Sequence, residues 1–75
     1  MAEQLIVTFY TTSEAMATEY ACKKKQLQGK IIPVPRTLSS GCGIAWIASP
    51  DDEVILKKLL DQQGIEWESM TILDF

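Results

Sequence analysis

No histidine occurs among the 75 residues of the chain. The commonest general base and the commonest zinc ligand are therefore missing. A Ser-His-Asp or Cys-His site built within this chain is excluded. Cysteine is scarce as well, and two thiols cannot assemble a four-thiolate zinc or iron–sulfur centre in one chain. Basic residues are in deficit: 7 Lys+Arg stand against 10 Asp+Glu, giving a net charge of −3. The basic footprint from which nucleic-acid binding starts is lacking. No stretch approaches the roughly 18 apolar residues of a membrane span. Met1-Ala2-Glu3-Gln4 has an acidic residue and no basic n-region, so it does not read as a secretory signal. The length is too short for a two-domain enzyme with a cleft between domains. It fits one domain over residues 1–75, which would bury roughly 60% of its unfolded surface.

What is present is an ordinary soluble composition, 47% hydrophobic. The expected compartment is the cytoplasm, where thiols stay reduced. Cysteine parity alone permits a Cys22–Cys42 disulfide, and the redox argument stands against it.

Gln4 to Tyr10 is dense in β-branched and aromatic residues and reads as a strand buried on both faces. Thr11 and Glu14 have capping-box spacing, so a helix starts there and runs to about Lys25. Its buried face is ambiguous. Met16, Ala17 and Tyr20 form one stripe, and Ala15, Thr18, Ala21 and Cys22 form another. Leu27 to Val34 is a second strand, and Pro33 and Pro35 place its end or a sheet edge. Ile44 to Ala48 is a third strand. Ser49 is a helix N-cap with Pro50 at the first helical position, and Asp51, Asp52 and Glu53 face the positive end of the dipole. That placement explains the three carboxylates without a metal. Ile55, Leu56, Leu59 and Leu60 make an apolar stripe, and Gly64 is placed as the helix stop. Ile65 to Leu73 is the fourth strand, with Ile65 and Trp67, and after them Met70 and Ile72, alternating inward. The order βαββαβ implies an α+β, ferredoxin-like arrangement: a four-stranded antiparallel sheet with both helices on one face.

The informative stretch runs from Pro33 through Arg36, Ser39, Ser40 and Gly41 to Cys42 and Gly43. Cys42 lies between two glycines, so no neighbouring side chain shields its sulfur. Arg36, the only arginine, sits in the same loop, and a nearby cation favours the nucleophilic thiolate. Free loop amides can form an anion-holding nest. The plainer alternative is that Cys42 begins the third strand with its sulfur packed inward as a small hydrophobe. Cys22, in mid-helix, reads as core packing, with an exposed resolving thiol as the alternative. Lys23-Lys24-Lys25 with Lys30 reads as a solvated helix end, with a docking patch for an acidic partner as the alternative.

Ile32-Pro33-Val34-Pro35-Arg36, followed by Leu38-Ser39-Ser40-Gly41-Cys42-Gly43-Ile44-Ala45, resembles the signature of a small bacterial family, the Se/S carrier protein-like proteins. The resemblance covers essentially the whole chain. It implies a cytoplasmic protein whose Cys42 carries sulfur or selenium as a persulfide or selenosulfide. Pro33, Pro35, Arg36, Ser39, Ser40 and Gly43 are the other matching positions. The implied partners are a cysteine desulfurase or a selenium-handling donor, and an acceptor protein. No cofactor, metal, nucleic acid or membrane is implied. Members of that family tend to have aliphatic residues where this chain has Ala21 and Cys22, which favours the small-residue stripe as the buried face. The chain departs in Cys22, in its lysine run, and in Gln26 where many members have a helix-ending glycine.

In the role so implied, Arg36 and the amides of Gly41 and Gly43 would stabilise the thiolate and the persulfide anion. Ser39 and Ser40 would donate hydrogen bonds to the terminal sulfur. Pro33 and Pro35 would shape the loop. The competing expectation is a non-catalytic ligand-binding or regulatory module of the same fold, with room for a homodimer and with Cys42 inert.

Overall fold

The computed structural model describes residues 3–38 and 41–74. The β-branched N-terminal run forms strand β1 (Glu3–Thr8). It leads into helix α1 (Thr12–Lys24), then strands β2 (Lys30–Pro33) and β3 (Ile44–Ala48). A 3₁₀ turn at Pro50–Asp52 opens helix α2 (Glu53–Gln62), and strand β4 (Ser69–Asp74) follows. The strands lie in the order β2-β3-β1-β4, and every neighbouring pair is antiparallel. The fold is therefore the expected α+β, ferredoxin-like βαββαβ.

Local chemistry explains the element boundaries. Thr11 closes a full capping box: its hydroxyl accepts from the Glu14 amide at 3.3 Å, and the Glu14 carboxylate accepts from the Thr11 amide at 3.2 Å. The same carboxylate takes the Tyr10 amide at 3.1 Å. At its other end α1 stops without a glycine. Gln26 adopts φ +60, and the Leu27 amide reaches back to the Cys22 carbonyl at 2.8 Å. This is a Schellman-type closure with glutamine in the place where glycine is cheapest. That turn consumes Leu27, so β2 begins at Lys30 and is shorter than the expected Leu27–Val34. In α2, Ser49 accepts from the Asp51 amide at 3.3 Å across the 3₁₀ turn. Gly64, at φ +68, ends the helix as expected, and the Ile65 amide bonds the Leu60 carbonyl at 2.9 Å. That closure, with the Glu68 amide bonded to the Thr8 carbonyl at 2.7 Å, delays β4 to Ser69 rather than Ile65.

The core lies between the sheet and the helices. Leu5, Val7 and Phe9 from the β1 segment meet Trp46 and Ala48 of β3, and Leu56, Leu59 and Leu60 of α2. From α1 it is Ala15, Thr18, Ala21 and Cys22 that turn inward, so the small-residue stripe is the buried one. Short side chains let α1 sit close to the strands, and Met16 and Tyr20 are left outside. The Thr18 hydroxyl, fully buried, is satisfied by the Glu14 carbonyl at 3.0 Å. Ile65 and Trp67 pack against this core from the loop before β4, inward as expected although outside a strand, and Met70 of β4 joins them; Ile72, expected inward, is 40% exposed on this edge strand.

Trp46 is the largest buried side chain. Its ring sits directly beneath Gly29: a Cβ there would meet Trp46 Cζ2 at 2.5 Å and the Ile47 carbonyl oxygen at 2.7 Å. The chain can pass over the indole only as glycine. Alternate residues of the strands, among them Ile6, Ile32, Ala45, Ile47, Thr71 and Leu73, share the opposite, helix-free face of the sheet. Among the described residues no helix is long and apolar enough to cross a membrane.

Candidate functional site

The β2–β3 connection is a hairpin with a wide loop. Pro33 pairs with Ile44 at the end of the ladder, and the Val34 amide bonds the Gly43 carbonyl at 3.1 Å. This closes the neck of the loop. Proline ends the strand on the edge of the sheet because it has no amide to donate there. Beyond the neck, the Leu38 amide bonds the Pro35 carbonyl at 3.0 Å, making a turn over Pro35–Leu38. Arg36 and Thr37 are its exposed corners. Arg36 makes no ion pair among the described residues. The expectations placed on Ser39 and Ser40 lie outside the described residues.

The returning arm carries the cysteine. Gly41 passes close to the connection between β1 and α1: a Cβ on it would lie 3.2 Å from the Tyr10 carbonyl oxygen. Gly43 adopts φ +78, with open space where a Cβ would point. There the backbone angle, not crowding, calls for glycine. The two glycines thus do different things, one allowing close approach and the other a left-handed turn. Cys42, held between them, is half-buried, with its sulfur against the rim of the core. Its Sγ donates a hydrogen bond to the Ile44 carbonyl at 3.3 Å. Only the protonated thiol can make that bond, so the sulfur must leave it to act as a thiolate.

Cys22 and Cys42 are not joined to each other, which sets aside a Cys22–Cys42 disulfide in this structure. They differ in environment. Cys22 is fully buried under α1, and burial, with a smaller push from the Asp52 carboxylate, raises its thiol from 9.0 to about 11. A buried thiol with a raised pKa is a poor nucleophile. Cys42 is the one with a route to a partner.

Of the expected site residues, the structure brings Pro33, Gly43 and Cys42 to the loop's neck. It sets Pro35 and Arg36 on the outgoing arm, while Gly41 and Cys42 return on the other. Two features escape the sequence motif. The first is the Tyr10 carbonyl, which fixes the approach of Gly41. The second is Glu14, whose carboxylate already occupies the Tyr10 and Thr11 amides beside the loop. Those amides are therefore spent on the capping box and do not add to an anion nest. No sequence signal announces the first; the capping box announces the second. A depression of about 570 Å³ lies at the other end of the sheet, lined by Gln4, Gly29, Lys30, Ile47 and Ser49 among others. None of its lining residues belongs to the Cys42 loop. Among the described residues no cluster of His, Cys, Asp and Glu could hold a metal ion.

The model of a family described as "Putative Se/S carrier protein-like" matches residues 4–71. No curated protein and no solved structure matches the chain.

Proposed function

The chain belongs to the Se/S carrier protein-like family, and from that membership we propose that it carries sulfur or selenium on Cys42. The observation that carries this reading is the contrast between the two thiols. Cys22 is sealed in the core, whereas Cys42 sits half-buried between two glycines at the neck of a surface loop.

In the proposed step, Cys42 Sγ breaks its bond to the Ile44 carbonyl, gives its proton to solvent and attacks the terminal sulfur of a donor persulfide. A new S–S bond forms on Cys42. The donor's S–S bond breaks, and its electron pair leaves with the donor thiolate. One sulfane sulfur moves and nothing is oxidised or reduced overall. Release to an acceptor thiolate is the same exchange in reverse. Histidine is not required, because the donor enzyme supplies the chemistry that makes the persulfide. Arg36, with Ser39, Ser40 and the amides of Gly41 and Gly43, would steady the anionic terminal sulfur, and Pro33 and Pro35 would shape the loop around it. The donor is a cysteine desulfurase or a selenium-handling enzyme and the receiver a second protein. The reducing cytoplasm suits a free carrier thiol.

Incubation with a cysteine desulfurase and cysteine, read by intact mass, tests the proposal. One added sulfur is expected on the wild type and on Cys22→Ala, and none on Cys42→Ser. An unloaded wild type, or equal loading of Cys42→Ser, refutes it.

One observation favours a second reading, a dimeric interaction module with Cys42 inert. Lys30 is the single charged residue among the strand positions of the helix-free face, which otherwise presents Ile32, Ile47, Thr71 and Leu73 beside uncharged polar residues. The molecule is flat, 28 × 25 × 15 Å, and this face is one of its two broad sides. Light scattering decides it: a dimer that Thr71→Arg splits supports the module, and a monomer at all concentrations removes it.

A further inference from the structure

Burying the small-residue stripe of α1 leaves the other stripe bare. Met16 and Tyr20 are 47% and 67% exposed, and on α2 Val54 and Ile55 are 63% and 53% exposed. Between the helices run two adjoining depressions of about 280 and 290 Å³, which share Lys25 and Leu59. Leu27, Ile55 and Leu59 give the groove an apolar floor, while Lys24, Lys25 and Lys58 stand around it.

Apart from Lys30 at the start of β2, the lysines fall into two sets. Lys23 and Lys57 each pair with a glutamate one turn back, Glu19 at 4.0 Å and Glu53 at 3.5 Å. Lys24, Lys25 and Lys58 meet no carboxylate among the described residues. Lys24 lies over the Tyr20 ring, 5.4 Å from its centre. A chain of net charge −3 thus gathers three uncompensated cations around one apolar groove. A solvated helix end would need cations alone, with no exposed aliphatic floor between them. A nucleic acid would need a broad basic face without that floor, on a molecule that is not acidic overall.

We propose that this groove docks an acidic amphipathic helix of a partner protein. The partner's apolar residues, spaced at i, i+4 and i+7, would cover Leu27, Ile55 and Leu59, and its carboxylates would meet Lys24, Lys25 and Lys58. Complementary charge sets the encounter rate and the register, and the floor holds the complex. The surface lies on the helix layer and is independent of sulfur loading at Cys42, which a small-molecule persulfide donor can supply with the groove empty.

The experiment is a ¹⁵N chemical-shift titration of the full chain. The probe is a synthetic amphipathic helical peptide of Glu, Ala and Leu. Its scrambled isomer, its Lys-for-Glu counterpart and phosphatidylglycerol vesicles run beside it. Shifts are expected at Tyr20, Lys25, Leu27, Ile55 and Leu59, weakening as salt rises. The triple variant K24E/K25E/K58E should bind about tenfold more weakly, from three exposed pairs of modest strength. Ile55→Gln, on an exposed position that leaves the fold intact by circular dichroism, should weaken binding as well. The proposal is overturned if the peptide shifts no residue at about 1 mM. It is equally overturned if the scrambled or Lys peptide binds as well, if the vesicles perturb these residues more than the peptide does, or if the groove is found occupied by a second copy of the chain.

Discussion

Raising the pH should single out Cys22. Its thiol titrates near 11 in the folded chain, against 9.0 in the unfolded one, chiefly because burial disfavours the thiolate. Below pH 9 both states hold the proton and Cys22 contributes no pH dependence. Between pH 9 and 11 the unfolded chain loses its proton while the folded chain keeps it, so stability falls as pH rises. The loss is about 1 kcal/mol at pH 10 and levels off at about 3 kcal/mol above pH 11. Comparison with Cys22→Ala removes every contribution to the pH dependence that the two proteins share. That substitution itself removes one buried heavy atom and costs about 1 kcal/mol at pH 8. Urea unfolding of both proteins, under reductant, at pH 8 and pH 10 supplies the measurement. The wild type should lose about 1 kcal/mol more than the variant between the two conditions, a relative midpoint shift of about 1 M for a slope near 1 kcal/mol/M. Parallel loss in both proteins, or a gap that widens in favour of the wild type, would refute the assignment of Cys22 as a desolvated thiol.

Three further outcomes are expected. Gln26→Gly should stabilise the chain by about 0.5–1 kcal/mol, because glycine occupies φ +60 without the Cβ penalty; thermal melts read the gain. Gly29→Ala should cost about 1–3 kcal/mol, since its methyl would overlap Trp46, and near-UV circular dichroism should report the displaced indole. Thr11→Ala should cost about 1 kcal/mol by opening the capping box beside the Cys42 loop, measurable as a lower urea midpoint.

The helix ends were the most legible part of the fold, because their signals are local. Thr11 with Glu14, and Ser49 with Pro50, need only a few neighbouring residues to satisfy the first amides of a helix. The strand starts were less legible. Leu27 and Ile65 are apolar and read as strand, yet their amides close the helices before them, and β2 and β4 begin three and four residues later. Apolar character reports burial, which both residues keep; it does not report hydrogen-bond partners. At the site, the flanking glycines of Cys42 were visible as a pattern, but not their different tasks. Gly43's φ follows from the hairpin neck, and Gly41's closeness to Tyr10 from the packing of the loop on the connection between β1 and α1.

By itself, the chain's residue order settled the βαββαβ succession, the capped helices and the loop in which the unusual chemistry is gathered. Each of these rests on interactions between residues close in sequence. Only the tertiary structure decided which stripe of α1 is buried, because both stripes have helical spacing and the choice depends on what the sheet can accommodate. That choice placed Cys22 in the core and left Met16 and Tyr20 outside. It also set α1 beside α2, so that lysines distant in the chain stand around one groove. The difference between the two cysteines is of the same kind: a thiol's reactivity follows from its surroundings, and most of those surroundings come from elsewhere in the chain.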